Sequence, residues 1–207
     1  MTLEIWLAFA LASAALLAIP GPTVMLVVSY ALGRGRATGW ATVPGVALGD
    51  LTAMTVSLLG AGAVLAASAT AFTVLKFVGA GYLIWLGIKL WRAPATLDPL
   101  PEAQAGAGGR AMFWNAYVVT ALNPKSIVFF VAFVPQFVTT GAPVAPQFVV
   151  MVATFVALAA ANAALWAVLA GELRRRAARP ETLRLANRLG GGCLVAAGVL
   201  TAAVRRG

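Results

Sequence analysis

Hydrophobic residues run along this chain in long blocks, and the polar residues gather between them. No charge interrupts residues 5–33, nor residues 126–171. A helix crosses a bilayer core with about 20 apolar residues, so the second run is long enough for two crossings. Charges and turn residues punctuate the chain into six apolar segments, at 5–32, 39–67, 70–91, 112–138, 147–171 and 185–204. The pattern predicts an all-α integral membrane protein with six transmembrane helices. Gly141, Pro143 and Pro146 mark a short turn between the fourth and fifth. The stretch from 92 to 110, rich in proline and glycine and carrying Asp98 and Glu102, reads as a flexible linker. It divides the chain into a three-helix unit over 1–91, a linker over 92–111 and a second three-helix unit over 112–207.

Composition agrees with lipid as the solvent. The chain is 61% hydrophobic and 10% charged, with a mean hydropathy of +0.92, whereas soluble domains carry roughly 25% charged residues. The net charge of +9 would suggest nucleic acid in a soluble protein. Here the basic residues sit at the ends of apolar runs, which excludes that reading and sets orientation instead. Arg34 and Arg36 follow the first segment; Lys89, Arg92 and Arg110 flank the linker; Arg174, Arg175, Arg176, Arg179, Arg184 and Arg188 lie around the five–six connector. The two–three and four–five turns have none. Connectors one–two, three–four and five–six are therefore expected in the cytoplasm and both termini outside. Arg205 and Arg206 are discordant; either they snorkel to the interface or the glycine-rich sixth segment spans incompletely. Glu4 stands where a signal peptide would be basic, so the first segment reads as a retained helix. Trp6, Trp40 and Trp91 fall near segment ends, as interfacial aromatics do.

An odd number of spans in each half requires the halves to lie in opposite orientations, the inverted-repeat plan of many secondary transporters. Both first helices are interrupted, one at Pro20-Gly21-Pro22 and one at Asn123-Pro124. Proline removes a backbone donor and strands carbonyls, and in hydrocarbon these are tolerated only against protein or a water-filled cavity. One such break would read as a packing kink. Two at matching places point to a substrate site.

Charge inside the bilayer sharpens this. Asp50 lies about 17 Å into the second segment and Lys125 about 20 Å into the fourth, at 1.5 Å per residue, so both fall near mid-membrane. Each costs about 2.5–3.5 kcal/mol at a helix centre, less if paired or facing water. They are expected to face one central cavity, paired with each other or each ready to pair with substrate; a purely structural ion pair is the alternative. Glu4, Asp98, Glu102, Glu172 and Glu181 lie at segment ends or in connectors, which leaves Asp50 as the mid-membrane carboxylate for a proton. Lys76 can serve the cavity or snorkel as an anchor. Asn162 can bond a substrate, or more simply a neighbouring helix. Gly45 and Gly49 form a GxxxG pair suited to close helix approach. The stripe Val43, Ala47, Asp50, Ala53 or Met54, and Ser57 keeps side chains around the acid mostly small.

These residues give the chain its resemblance to the LysE/RhtB family of amino-acid exporters. Ile19-Pro20-Gly21-Pro22, Gly35-Arg36-Ala37-Thr38-Gly39 and Gly45-Val46-Ala47-Leu48-Gly49-Asp50 resemble its N-terminal signature. Lys76-Phe77-Val78-Gly79-Ala80-Gly81-Tyr82-Leu83, continuing to Leu86-Gly87, resembles its third segment. Leu122-Asn123-Pro124-Lys125, then Phe129-Phe130 and Phe133-Val134-Pro135-Gln136-Phe137, resembles its fourth. The resemblance implies an inner-membrane exporter driven by the proton gradient. Asn123-Pro124-Lys125 is similar to the homoserine/threonine-type branch, and Phe129 lies where the basic-amino-acid branch tends to carry a further acid, so a neutral zwitterion is the expected cargo.

The partners implied are an amino-acid-like small molecule, protons and the bilayer, with no nucleic acid and with a homo-oligomer compatible. No cofactor and no enzymatic activity are expected. Histidine is absent, which removes imidazole metal sites, bases and triads. Cys193 is the single cysteine, which argues against a membrane carrier of thiol electrons. Efflux of another small solute or a metal ion is the remaining alternative, although the segments offer few metal ligands.

Overall fold

A computed structural model describes residues 1–67, 69–92, 108–139, 141–176 and 180–203. Every regular element among the described residues is helical, as expected where a lipid-embedded backbone must satisfy its own hydrogen bonds. In chain order these are α1 (Leu3–Ala18), α2 (Pro22–Arg34), a 3₁₀ turn (Arg36–Thr38), α3 (Gly39–Ala67), α4 (Ala69–Trp91), α5 (Gly109–Ala121), α6 (Pro124–Val128), α7 (Val144–Arg176) and α8 (Pro180–Ala203). A π-helical turn over Phe129–Phe133 and a 3₁₀ turn over Val134–Phe137 prolong α6. Three helical stretches, Arg36–Gly60, Gly109–Phe137 and Val144–Ala170, are long and apolar enough to cross a bilayer. The pair α1–α2, bent by 53°, passes the same test when its two helices are taken together. This is a multi-pass membrane protein.

Local sequence explains where the helices stop. Pro22, Pro124 and Pro180 each open a helix, where a missing N–H costs nothing because first-turn donors have no intrahelical acceptor. Gly35 closes α2 at φ +86°, a left-handed geometry that glycine adopts without strain. The π turn precedes Pro135, whose absent N–H breaks the regular ladder; the Gln136 side chain donates to Ala132 O at 2.9 Å within it. The helices run beyond several expected boundaries, α7 to Arg176 and α5 back to Gly109, because polar residues at membrane exits can continue a helix that hydropathy alone would end. The linker expected over 92–111 lies, except at its ends, outside the described residues. So do Arg179, Arg205, Arg206 and the side chains of Arg174–Arg176, Lys76 and Cys193.

Small residues set the helix contacts. A Cβ on Gly45 would meet the Phe113 carbonyl of α5, and one on Gly49 would lie 2.8 Å from both Thr120 Cβ and Tyr117 O. The glycines thus let α3 and α5 pack backbone to backbone. Elsewhere α4 packs along α8 in the same manner, through Gly87, Gly191 and Gly198.

Two apolar clusters fill the interior. One gathers Phe9, Leu16, Ile19, Ala53, Met54, Leu58, Leu83, Phe129, Phe130, Phe133, Val134, Met151, Phe155 and Ala159. The other gathers Leu26, Val27, Tyr30, Val46, Met112, Ala116, Ala163 and Ala167. Three helical stretches pass from one to the other: α3 between Val46 and Ala53, α7 between Ala159 and Ala163, and the α1–α2 pair between Ile19 and Leu26. The level between the clusters holds the polar residues.

Candidate functional site

The site grows out of the break between α1 and α2. In an uninterrupted helix residue 20 would donate to Leu16 O and residue 21 to Leu17 O. Pro20 has no N–H, and the chain turns away at Gly21. Leu16 O keeps one backbone donor, the Ile19 N–H at 3.3 Å, and side chains from elsewhere supply the rest. Lys125 Nζ donates to Leu16 O and to Ile19 O, each at 3.1 Å. Asn162 Nδ2 donates to Leu17 O at 3.1 Å. An ammonium at a helix C-terminus also meets the negative end of the helix dipole. Gly21 permits this approach, because a Cβ there would lie 3.2 Å from Lys125 Nζ.

The second break is built around Asn123. Its Oδ1 accepts from the Lys125 backbone N–H at 3.1 Å, and Pro124 takes the first position of α6. Asn123 Nδ2 donates to Thr23 Oγ1 at 3.3 Å, and Thr120 donates to the same oxygen at 3.2 Å. One hydroxyl therefore ties the start of α2 to the end of α5.

Asp50 faces these groups from α3. It is 2% exposed, and Lys125 is 8% exposed. Both line one small cavity together with Leu16, Leu17, Gly21, Thr23, Asn123, Ser126 and Asn162. Among the described residues no donor hydrogen-bonds the Asp50 carboxylate and no cation lies within 4.0 Å of it, while the Lys125 ammonium acts on it electrostatically across the cavity. Lys125 has spent two of its three N–H donors on carbonyls instead. A buried charge normally has partners, so this acid is poised toward the cavity. The cavity measures about 20 Å³, room for about one water molecule. This is a closed form, too small to hold an amino acid.

The structure brings Asp50, Lys125, Asn123, Gly21 and Asn162 to this one place. Pro20, Pro22 and Pro124 shape the breaks beside it. Gly45 and Gly49 belong to the α3–α5 seam, outside the lining, and Lys76 falls on α4 with its side chain outside the described residues. Sequence reasoning did not single out Thr23, Ser126 or the carbonyls of Leu16 and Leu17. Thr23 directly follows the first break and Ser126 lies two residues past Pro124, a usable signal, since residues just past a broken helix face what the break exposes.

A family model described as "LysE type translocator" matches residues 14–203. A protein of Vibrio cholerae named "Uncharacterized membrane protein" is 33% identical over 207 residues, covering 99% of this chain and 100% of its own. The "Homoserine/homoserine lactone efflux protein" of Salmonella typhimurium is 32% identical over 205 residues, 99% of each chain. The "Leucine efflux protein" of Salmonella choleraesuis is 30% identical over 125 residues, 60% of this chain and 59% of its own. No solved structure matches. With a family match across nearly its whole length and relatives aligned end to end, the chain belongs to the LysE type translocator family.

Proposed function

We propose that this protein is a secondary-active exporter of a small neutral amino acid or close derivative, coupled to the proton gradient across a bacterial inner membrane. The observation that carries the reading is Asp50, a buried carboxylate with no hydrogen-bond donor among the described residues, opening on a cavity beside a broken helix and a buried lysine. The lining holds one acid and one base, which complements a zwitterion better than a cation or an anion. Asp50 takes the substrate ammonium or, in its absence, a proton. The third N–H of Lys125 and the first-turn N–H groups of α2, which have no intrahelical acceptor, take the carboxylate. Moving one charge through 100 mV is worth about 2.3 kcal/mol, so one proton per substrate is a useful drive.

Six spans in two inverted halves fit this reading. Exchanging the halves maps the α1–α2 break onto the α5–α6 break, and Gly21 and Asn123 from these breaks line the same cavity. It also maps the α3–α5 packing onto the contact of α7 with α1 and α2, while α4 with α8 and α3 with α7 map onto themselves. Basic residues place both termini outside and the Arg34–Arg36 turn in the cytoplasm.

The test is efflux from proteoliposomes loaded with homoserine, threonine or leucine, with and without an imposed pH gradient. Gradient-stimulated efflux of at least one of them is expected, and Asp50→Asn abolishes the stimulation. Undiminished stimulation in that variant removes Asp50 from the coupling mechanism.

A further inference from the structure

Ser13 lies on α1 with Phe9 and Leu16, the three buried residues of that helix. It is 0% exposed, and its hydroxyl has no hydrogen-bond partner among the described residues. A serine inside a helix commonly satisfies itself on the carbonyl four residues back; this one does not. Phe9 and Leu16, to either side of it on the same face, both belong to the aromatic cluster. Ser13 is three residues before Leu16, about 4.5 Å along the helix axis, and the Leu16 carbonyl is held by Lys125. Next to the site, an unpaired hydroxyl therefore sits within the most apolar layer of the protein.

That layer is built to close. Phe129 and Phe130 each stack with Phe155, Phe129 with Phe133, and Phe9 and Phe133 with Phe137, at centroid distances of 4.8–6.1 Å. Three of these rings come from the π-helical turn, an irregularity often found at functional sites because its hydrogen bonds exchange readily with the α pattern. On α3 the small-residue stripe runs from Asp50 past Ala53 and Met54 to Ser57, a second buried hydroxyl on this side of the site.

We infer that the aromatic cluster is the barrier on the Met1 side of the site, that the π turn is the part that moves, and that Ser13 is a polar contact for the solute and its water when the barrier opens. A hydroxyl kept unpaired in the closed form is satisfied in the open one, which offsets part of the cost of wetting the layer. The solute class is a small molecule bearing hydrogen-bond donors and acceptors, here the zwitterion of the exporter reading, on which the transport half of this inference rests.

The experiment has two arms. In a Cys193→Ala background, Ser13→Cys is exposed to a membrane-impermeant maleimide from each side of sealed vesicles. Labelling should be slow in the parent and rise at least tenfold when Phe130→Ala is added, from the Met1 side alone. Phe133→Leu provides a milder second variant should Phe130→Ala fail to assemble. No rise in any correctly assembled variant, or labelling from the Arg34 side, overturns the barrier. In the second arm Ser13→Ala should leave the thermal midpoint unchanged or raised while gradient-driven efflux falls at least threefold. Unchanged efflux removes Ser13 from the path. The labelling arm needs no substrate, so it stands even when no tested compound is exported.

Discussion

The two apolar clusters flanking the Asp50 level are made of different material. On the Met1 side five buried phenylalanines interlock with Met54, Met151 and Leu58. On the Arg34 side the core is aliphatic and small, with Ala116, Ala163 and Ala167 around one tyrosine, and polar pairs run through it. Tyr30 accepts from Asn115 Nδ2 at 2.7 Å, and Thr120 donates to Thr23. Between helices in lipid there is little hydrophobic drive, so packing and hydrogen bonds decide stability. Large interlocked rings make a layer that yields only when several side chains move together. Small side chains and exchangeable hydrogen bonds make one that admits water at lower cost. In an exporter the first suits the face that must not leak inward, and the second suits the face that loads.

The largest effect should come from the charge between the clusters. Asp50→Asn is expected to eliminate gradient-stimulated efflux while the protein remains folded in the membrane, measured in proteoliposomes alongside size-exclusion behaviour in detergent. Exchanging the charges, Asp50→Lys with Lys125→Asp, should also fail, because the new carboxylate would face the Leu16 and Ile19 carbonyls. Normal transport by the exchanged pair would mean that the two side chains form only a structural couple.

Truncation within the clusters should then differ by side. Phe130→Ala is expected to cost about 3 kcal/mol, the low end for a buried phenylalanine, and to let protons leak without substrate. Val46→Ala, in the other cluster, should cost about 1.5 kcal/mol, since it deletes less side chain from a looser surrounding. Equal losses in thermal or denaturant unfolding would erase the proposed asymmetry.

Removing the caps on α1 should fall next. Lys125→Met leaves the Ile19 carbonyl without its donor and Leu16 O with the Ile19 N–H alone, at about 2 kcal/mol, and Asn162→Ala frees the Leu17 carbonyl, at about 1 kcal/mol. Hydrogen exchange at residues 16–19 reads both, and equal protection in wild type and Lys125→Met would exclude the capping role. The smallest change is Tyr30→Phe, which deletes the bond from Asn115 and should cost about 0.6 kcal/mol, the average for a hydrogen bond between membrane helices.

The membrane class and the positions of most helices were legible in the chain, because each follows from local chemistry. Long uncharged runs demand lipid, proline at the first position opens helices, and Pro20 strands a carbonyl whatever surrounds it. The close approach at Gly45 and Gly49 could be anticipated from spacing, but the helix that fills it could not. Depth along a helix also put Asp50 and Lys125 at one level. It could not say where either points, since residues on opposite faces of a helix share the same depth. Only the tertiary arrangement directs Lys125 to the Leu16 and Ile19 carbonyls and leaves Asp50 facing the cavity without it. Only that arrangement brings Thr23 to Asn123 across a hundred residues of chain and collects phenylalanines from three helices into one cluster. A sequence records which groups will lack partners; packing in three dimensions decides which of them find one.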